Sequence, residues 1–243
     1  MSENIANLSV CLAKAVRMLE SIELLDMNGH ISCRLPGDES KFLINARAAS
    51  RASIRARDIV VCNADGKPEP GYPEPPSEVH IHAEIYRRRN DVGSIIHNHP
   101  HWQTVLGIAD IPFKPVFSIG SFVENAVFYE RSSLVNTREM GEELATLLDD
   151  QRAIQIRHHG AVVVGHTVEE AFVTSVFMEE NAKKQYQAHL LNPDHRVLEG
   201  ANLERTRESN WSPSIVRKVW NYHEEKSRLT GCLNGIEGEF VDR

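Results

Sequence analysis

The chain has 243 residues, with 27 Lys and Arg against 34 Asp and Glu, so its formal net charge is −7. That length suits one large domain or two small ones and needs no disulfide or structural metal to fold; 41% hydrophobic and 25% charged residues exclude a disordered chain. The acidic balance argues against a nucleic-acid partner, no run of about 18 apolar residues offers a membrane span, and MSENIANLSV lacks the features of a secretory leader.

Residues 4–26 read as a helix, with Leu8, Leu12, Ala15, Leu19, Ile22 and Leu25 at spacings of three and four. Asn28-Gly29 signals a turn. His30–Leu35 and Lys41–Ile44 read as strands joined at Pro36-Gly37, and Ile59–Cys62 as a third strand closed by Asp65-Gly66. Five prolines between Pro68 and Pro76 require an extended loop. Ser77 can cap a helix running to about Arg89. Gly93–His99 reads as a buried strand ended by Pro100, followed by a short helix from His101 to Ile108. Pro115–Ile119 reads as a further strand, and Thr137 starts a helix reaching Leu148. Ala153–Arg157 and Ala161–Gly165 are strand runs on either side of His158-His159-Gly160. Thr167 and Glu170 form a capping box before a long helix to about Leu190. The polar tail from about residue 192 contains a helical stretch at 213–229.

Several strands follow one another through tight turns, so the sheet is expected to be antiparallel or mixed, with helices on both faces. No repeat or linker divides the chain, which reads as one domain over 1–243 with a helical tail from about 192. Cys11, Cys33, Cys62 and Cys232 are scattered and form no CxxC pair; this fits a reducing cytoplasm and neither a zinc ribbon nor a disulfide scaffold. No glycine-rich phosphate loop follows a strand.

Twelve histidines draw attention to the segments that hold them. His97 and His99 alternate onto one strand face, with Cα atoms roughly 6–7 Å apart at about 3.3 Å per residue. Such a pair can converge on one metal ion or can be two surface histidines at a strand end. His158 and His159 point to opposite faces, so only one of them can join, with Gly160 permitting the turn that aims it; a polar loop is the alternative. Glu78 follows Pro76-Ser77 in a first helical turn, where a carboxylate is favourable on electrostatic grounds alone. His82, four residues on, reads as a packing or supporting group on the same helix face. Three neutral imidazoles leave a divalent ion its full charge, able to stabilise an enolate, and a nearby carboxylate can move the proton. Three histidines and one Glu suit lyase chemistry and also hydrolysis.

Together, Gly29-His30-Ile31-Ser32-Cys33-Arg34, Pro76-Ser77-Glu78, His97-Asn98-His99-Pro100, and His158-His159-Gly160 with the following GHTVEEAF segment resemble the class II aldolase/adducin family, in family order. The resemblance implies a three-layer α/β/α fold around a mostly antiparallel sheet. It implies a divalent metal, zinc foremost with manganese as the alternative, held by His97, His99 and His159, with Glu78 as the acid/base that can also reach the metal. It further implies a homotetramer with active sites at subunit interfaces. Where the sugar-phosphate aldolases resemble GNxSxR, this chain has His30; Pro76 replaces one of two hydroxyl residues before the glutamate; and Asn45-Ala46-Arg47-Ala48 stands where a phosphate loop would be. The chain is instead similar to a branch that decarboxylates hydroxylated aromatic or pyridine carboxylates. In that reading Arg34 or Arg47 holds a substrate carboxylate, Ser77 contacts substrate, and His30 is a second acid or a polar contact; salt bridges and a structural His30 are the alternatives. The expected function is a metal-dependent carbon–carbon lyase acting on a small molecule, a decarboxylase foremost. The alternatives are an aldolase on a non-phosphorylated or sugar-phosphate hydroxy-carbonyl compound and a non-catalytic adducin-like interaction module.

Overall fold

The computed structural model describes residues 2–123 and 126–236. A seven-stranded sheet runs in the order β3-β2-β1-β4-β7-β6-β5. Its strands are β1 (His30–Arg34), β2 (Lys41–Asn45), β3 (Ile59–Asn63), β4 (Ser94–Asn98), β5 (Val127–Tyr129), β6 (Ala153–Ile156) and β7 (Gly160–Gly165). Every pairing is antiparallel except β5 on β6, which is parallel. The helices are α1 (Ser2–Ser21), α2 (Val79–Arg88), α3 (His101–Ile108), α4 (Arg138–Leu148), α5 (Val168–Leu191), α6 (Gly200–Asn210) and α7 (Pro213–Leu229).

Strand alternation sends side chains to two separate cores. Ile31, Cys33, Leu43, Ile96 and Val163 meet Leu12, Leu19 and Phe172 of α1 and α5, with Val216 and Trp220 of α7 completing that layer. Ile44, Val60, Ile95, Val162 and Val164 meet Ile81, Ile85, Leu144 and Leu148 of α2 and α4. The result is the expected three-layer α/β/α arrangement. Among the described residues, no helix is long and apolar enough to cross a membrane.

The structure departs from the local expectations at several points. The first helix closes at Ser21, because the Leu24 and Leu25 N–H groups both return to Leu19 O and Glu23 turns left-handed at φ 60°. Pro115–Ile119 is not a strand: the Val116 and Phe117 N–H groups donate to the Asn181 side chain on α5, so they take their partners from a helix and not from a sheet ladder. The segment ends in a 3₁₀ turn over Ser118–Gly120. β5, three residues long on the sheet edge, is too short to show a periodicity. α6 lies in the tail that the polar composition left unassigned. At the start of α5, Thr167 caps the Glu170 N–H as expected, but the Glu170 carboxylate accepts from His166 N, one residue before the cap.

Candidate metal centre and active site

Antiparallel pairing brings three distant segments to one sheet end. β1 begins where β4 finishes, with His30 directly opposite His97, and β4 finishes where β7 begins, with Asn98 opposite Ala161. His97 and His99 therefore meet His159, which precedes β7. The rings of His97, His99 and His159 stand with centroids 5.0 Å apart in each pairing. Their ligating nitrogens all lie within 4.8 Å of one another.

Gly160 lets these strands approach. A Cβ there would stand 2.2 Å from Asn98 O and 2.8 Å from His99 Cδ2. The left-handed turn expected of Gly160 is instead made by His158, at φ 58°. Gly160→Ala is expected to cost about 1–3 kcal/mol, as overpacking does, and to lower metal content by displacing His99; urea titration and metal analysis of one preparation check both effects.

The imidazole tautomers are set by their outer partners. His97 Nδ1 lies 3.0 Å from Ala161 O, which can only accept, so the ring carries its proton there. His99 Nδ1 lies 2.9 Å from Asp26 Oδ2. Partial burial pushes the Asp26 carboxyl up, but the Asn28 N–H and the His99 ring outweigh it and hold it below its usual range. In both rings Nε2 is left as a lone pair, buried and, among the described residues, without a hydrogen-bond partner. Burial lowers His99 and brings His159 down to about 4, so both are neutral at pH 7, as metal ligands must be.

Glu78 stands over this triad. Its Oε2 is 3.5 Å from His97 Nε2, 4.0 Å from His159 Nε2 and 3.9 Å from His30 Nε2. The expected Ser77 cap does not form: Glu78 itself occupies the N-cap position of α2, with no side-chain cap bond. Its carboxylate turns instead to the site and to the Val135 N–H at 3.0 Å. Burial alone would raise Glu78, but the His30 ring and the Val135 N–H hold it well below the usual carboxylate range. Two orphaned buried lone pairs, a third imidazole and an ionised carboxylate fit a divalent cation, zinc or manganese among them.

Glu78, His99 and His159 open onto a cavity of about 670 Å³, which Asn28, His30, Arg47, Ser77, Ser132, Ser133 and His158 also line. Arg47 is exposed there, and among the described residues its guanidinium has no hydrogen-bond or ion-pair partner. Arg34 lies at the far end of β1, stacked 4.7 Å from the Tyr86 ring centroid. It donates to the carbonyls of Tyr86, Arg89 and Val92 and does not line this cavity. The expectation that Arg34 could hold substrate is therefore corrected: its guanidinium joins β1 to the end of α2. Arg34→Met is expected to destabilise the fold by about 1–3 kcal/mol through stranded carbonyls, with metal content unchanged; chemical denaturation and metal analysis test the separation.

Asp26, Ser132 and Ser133 escaped the sequence reading. Asp26 had a signal in its turn, where Oδ1 accepts the Asn28 and Gly29 N–H groups. The two serines lie in an irregular segment before α4, where no periodicity marks them.

Comparison with known proteins places the fold. The chain is 27% identical over 186 residues to a 3,4-dihydroxyphthalate decarboxylase of Arthrobacter keyseri, covering 69% of this chain and 73% of that protein. It is 29% identical over 181 residues to a 5-methylthioribulose-1-phosphate/5-deoxyribulose-1-phosphate aldolase of Rhodospirillum rubrum, covering 74% and 80%. The solved structure of an aldolase II superfamily protein from Pseudomonas syringae superposes with a TM-score of 0.83 over 96% of both chains at 22% identity, a likeness of fold. The class II aldolase and adducin N-terminal domain matches residues 11–186, from within α1 to near the end of α5, and so takes in the whole sheet. The chain belongs to the class II aldolase/adducin family.

Proposed function

We propose that this protein is a divalent-metal-dependent carbon–carbon lyase that decarboxylates a small hydroxylated aromatic or heteroaromatic carboxylate. The observation that carries the reading is the Glu78 carboxylate set 3.5–4.0 Å from three imidazoles, among them the buried His97 and His30, whose Nε2 atoms have no hydrogen-bond partner among the described residues, beside a cavity that Arg47 lines. His97, His99 and His159 would hold the cation, with zinc preferred to manganese for an imidazole set. The bound cation supplies Lewis acidity toward a substrate oxygen.

The protein's own residues do the rest. Arg47 suits a planar carboxylate through paired N–H donors. Ser77 offers a hydroxyl beside Glu78 for the substrate's own oxygens. Glu78, ionised and close to the triad, takes a proton from the substrate hydroxyl and returns it to the ring carbon that CO₂ leaves. Buried Val135 N–H keeps that carboxylate aimed during the exchange.

The aldolase reading has support of its own. Ser132 and Ser133, together with Arg47, offer the hydroxyl and guanidinium donors that a sugar phosphate needs, and the Rhodospirillum rubrum relative is named as a sugar-phosphate aldolase. In either reading the protein is a cytoplasmic homotetramer with active sites at subunit interfaces. Bound metal should be quantified in the native protein. CO₂ release from ortho-hydroxylated aromatic carboxylates should then be followed beside carbonyl products from hydroxy-aldehydes, hydroxy-ketones and their phosphates. CO₂ release with one metal per chain supports the decarboxylase, carbonyl products alone favour the aldolase, and a metal-free protein that stays inert after supplementation leaves an interaction module.

A further inference from the structure

A second set of polar groups runs away from the cavity into the interior. On β1, His30 and Ser32 share one face at strand spacing; on α2, Glu78, His82 and Tyr86 share one stripe at helical spacing. The two stripes interlock. His30 Nδ1 lies 2.7 Å from His82 Nε2, His82 Nδ1 lies 2.6 Å from Ser32 Oγ, and Ser32 Oγ lies 2.7 Å from Tyr86 Oη. His30, Ser32, His82 and Tyr86 are all buried.

Each contact needs one proton, and the inventory of donors permits few arrangements. Among the described residues, Ser32 Oγ is the only partner of Tyr86 Oη. If the chain donated outward from His30, the Tyr86 proton would be buried with no acceptor. If Tyr86 and His82 both donated to Ser32, the serine proton would be stranded instead. Both cases would also set the bare lone pair of His30 Nε2 against the Glu78 carboxylate, 3.9 Å away. A stranded buried polar group costs about 1–3 kcal/mol. One direction strands no proton inside the network and turns the remaining one, His30 Nε2–H, toward the Glu78 carboxylate 3.9 Å away: Tyr86 donates to Ser32, Ser32 to His82 Nδ1, and His82 Nε2–H to His30 Nδ1.

We infer that the Ser32 hydroxyl, which accepts from Tyr86 and acts through His82, fixes His30 in the Nε2–H tautomer, making it a neutral hydrogen-bond donor aimed at Glu78 and the cavity. His97 and His99 carry the opposite tautomer, with Nε2 free to ligate. The site therefore holds two kinds of imidazole, and His30, although its ring stands 4.9 Å from that of His97, belongs to the donor kind. Ser32 and His82 are positioning residues that act through it. The consequence for turnover rests on the lyase reading: His30 Nε2–H would donate to a substrate oxygen or carboxylate while Glu78 moves the proton. The tautomer itself does not rest on that reading.

The test uses the full-length protein, ring-¹⁵N-labelled at histidine, loaded with zinc and without substrate. Long-range ¹H–¹⁵N correlation reads which nitrogen of each neutral ring carries the proton. His30→Asn and His82→Asn assign the two signals by their loss. Both His30 and His82 are expected as Nε2–H in the native protein. Ser32→Ala should convert part of each to Nδ1–H. Ser32→Thr, which keeps the hydroxyl, should retain the native pattern, and so should Tyr86→Phe, because the serine proton still has His82 Nδ1 as its acceptor among the described residues. Metal content should not change in any of the three. Once a substrate is in hand, Ser32→Ala should lower kcat about three- to tenfold, the effect of one neutral hydrogen bond, with KM little changed. Native His30 protonated at Nδ1, or tautomers indifferent to Ser32→Ala, would overturn the assignment. If Ser32→Ala fails to fold, the native nitrogen signals alone decide. Failure of the lyase assays leaves the nitrogen signals as they are, so the two readings fail separately.

Discussion

The double variant His97→Ala/His99→Ala is expected to bind no stoichiometric divalent metal and to lose at least about 10³-fold in kcat/KM. Lewis-acid stabilisation is worth several kcal/mol, and each 1.36 kcal/mol is a factor of ten in rate. The expectation follows from geometry: these rings supply two buried Nε2 lone pairs that have no hydrogen-bond partner among the described residues. Metal analysis after gel filtration reads the first effect and the substrate panel the second. Circular dichroism separates both from unfolding, since His97 is fully buried. A graded variant sharpens the test. Asp26→Ala removes the carboxylate that orients His99 through Nδ1, and loss of such a partner typically weakens metal binding about 10–100-fold without abolishing it. A double variant that still carries one metal per chain would refute the assigned ligand set.

Glu78→Gln is expected to retain metal and fold while kcat falls about 10²–10⁴-fold, the usual contribution of a positioned acid/base. The amide keeps the size of the side chain and an oxygen to accept the Val135 N–H, so the buried contact is preserved. What is lost is a carboxylate able to take and return a proton. A kcat within about tenfold of native would remove Glu78 from proton transfer and leave it a binding role, because a single neutral hydrogen bond accounts for no more than that. Measured beside the metal-ligand variants, Glu78→Gln separates loss of the cation from loss of the base.

Much of the site could be read from the chain because its motifs are local. The His97/His99 pair depends on a strand period of two, and the Glu78-His82 spacing on one helical turn. Both follow from backbone geometry and need no partner. Thr137 and Thr167 declared their helices by capping, and each caps as expected. Arg34 misled because an arginine in a motif carries its charge in the sequence but not its neighbours. Its guanidinium is engaged by the carbonyls of Tyr86, Arg89 and Val92 at the far end of β1. The segment at 115–119 misled for a similar reason: its apolar pattern suits a strand, but Asn181, more than sixty residues on, takes its N–H groups.

The amino-acid order was thus enough for the layered α/β class, the family resemblance and the identity of the histidines and the glutamate worth testing. These rest on periodicity and on residue types that survive in one dimension. Which residues share the cavity, and in what protonation state, came from the fold. The antiparallel register of β1, β4 and β7 brings His30, His97 and His159 to one sheet end while carrying Arg34 to the other. Hydrogen-bond partners drawn from separate elements then select one nitrogen on each ring. Such choices depend on distances between chain segments far apart in sequence, and those distances exist only once the sheet has closed.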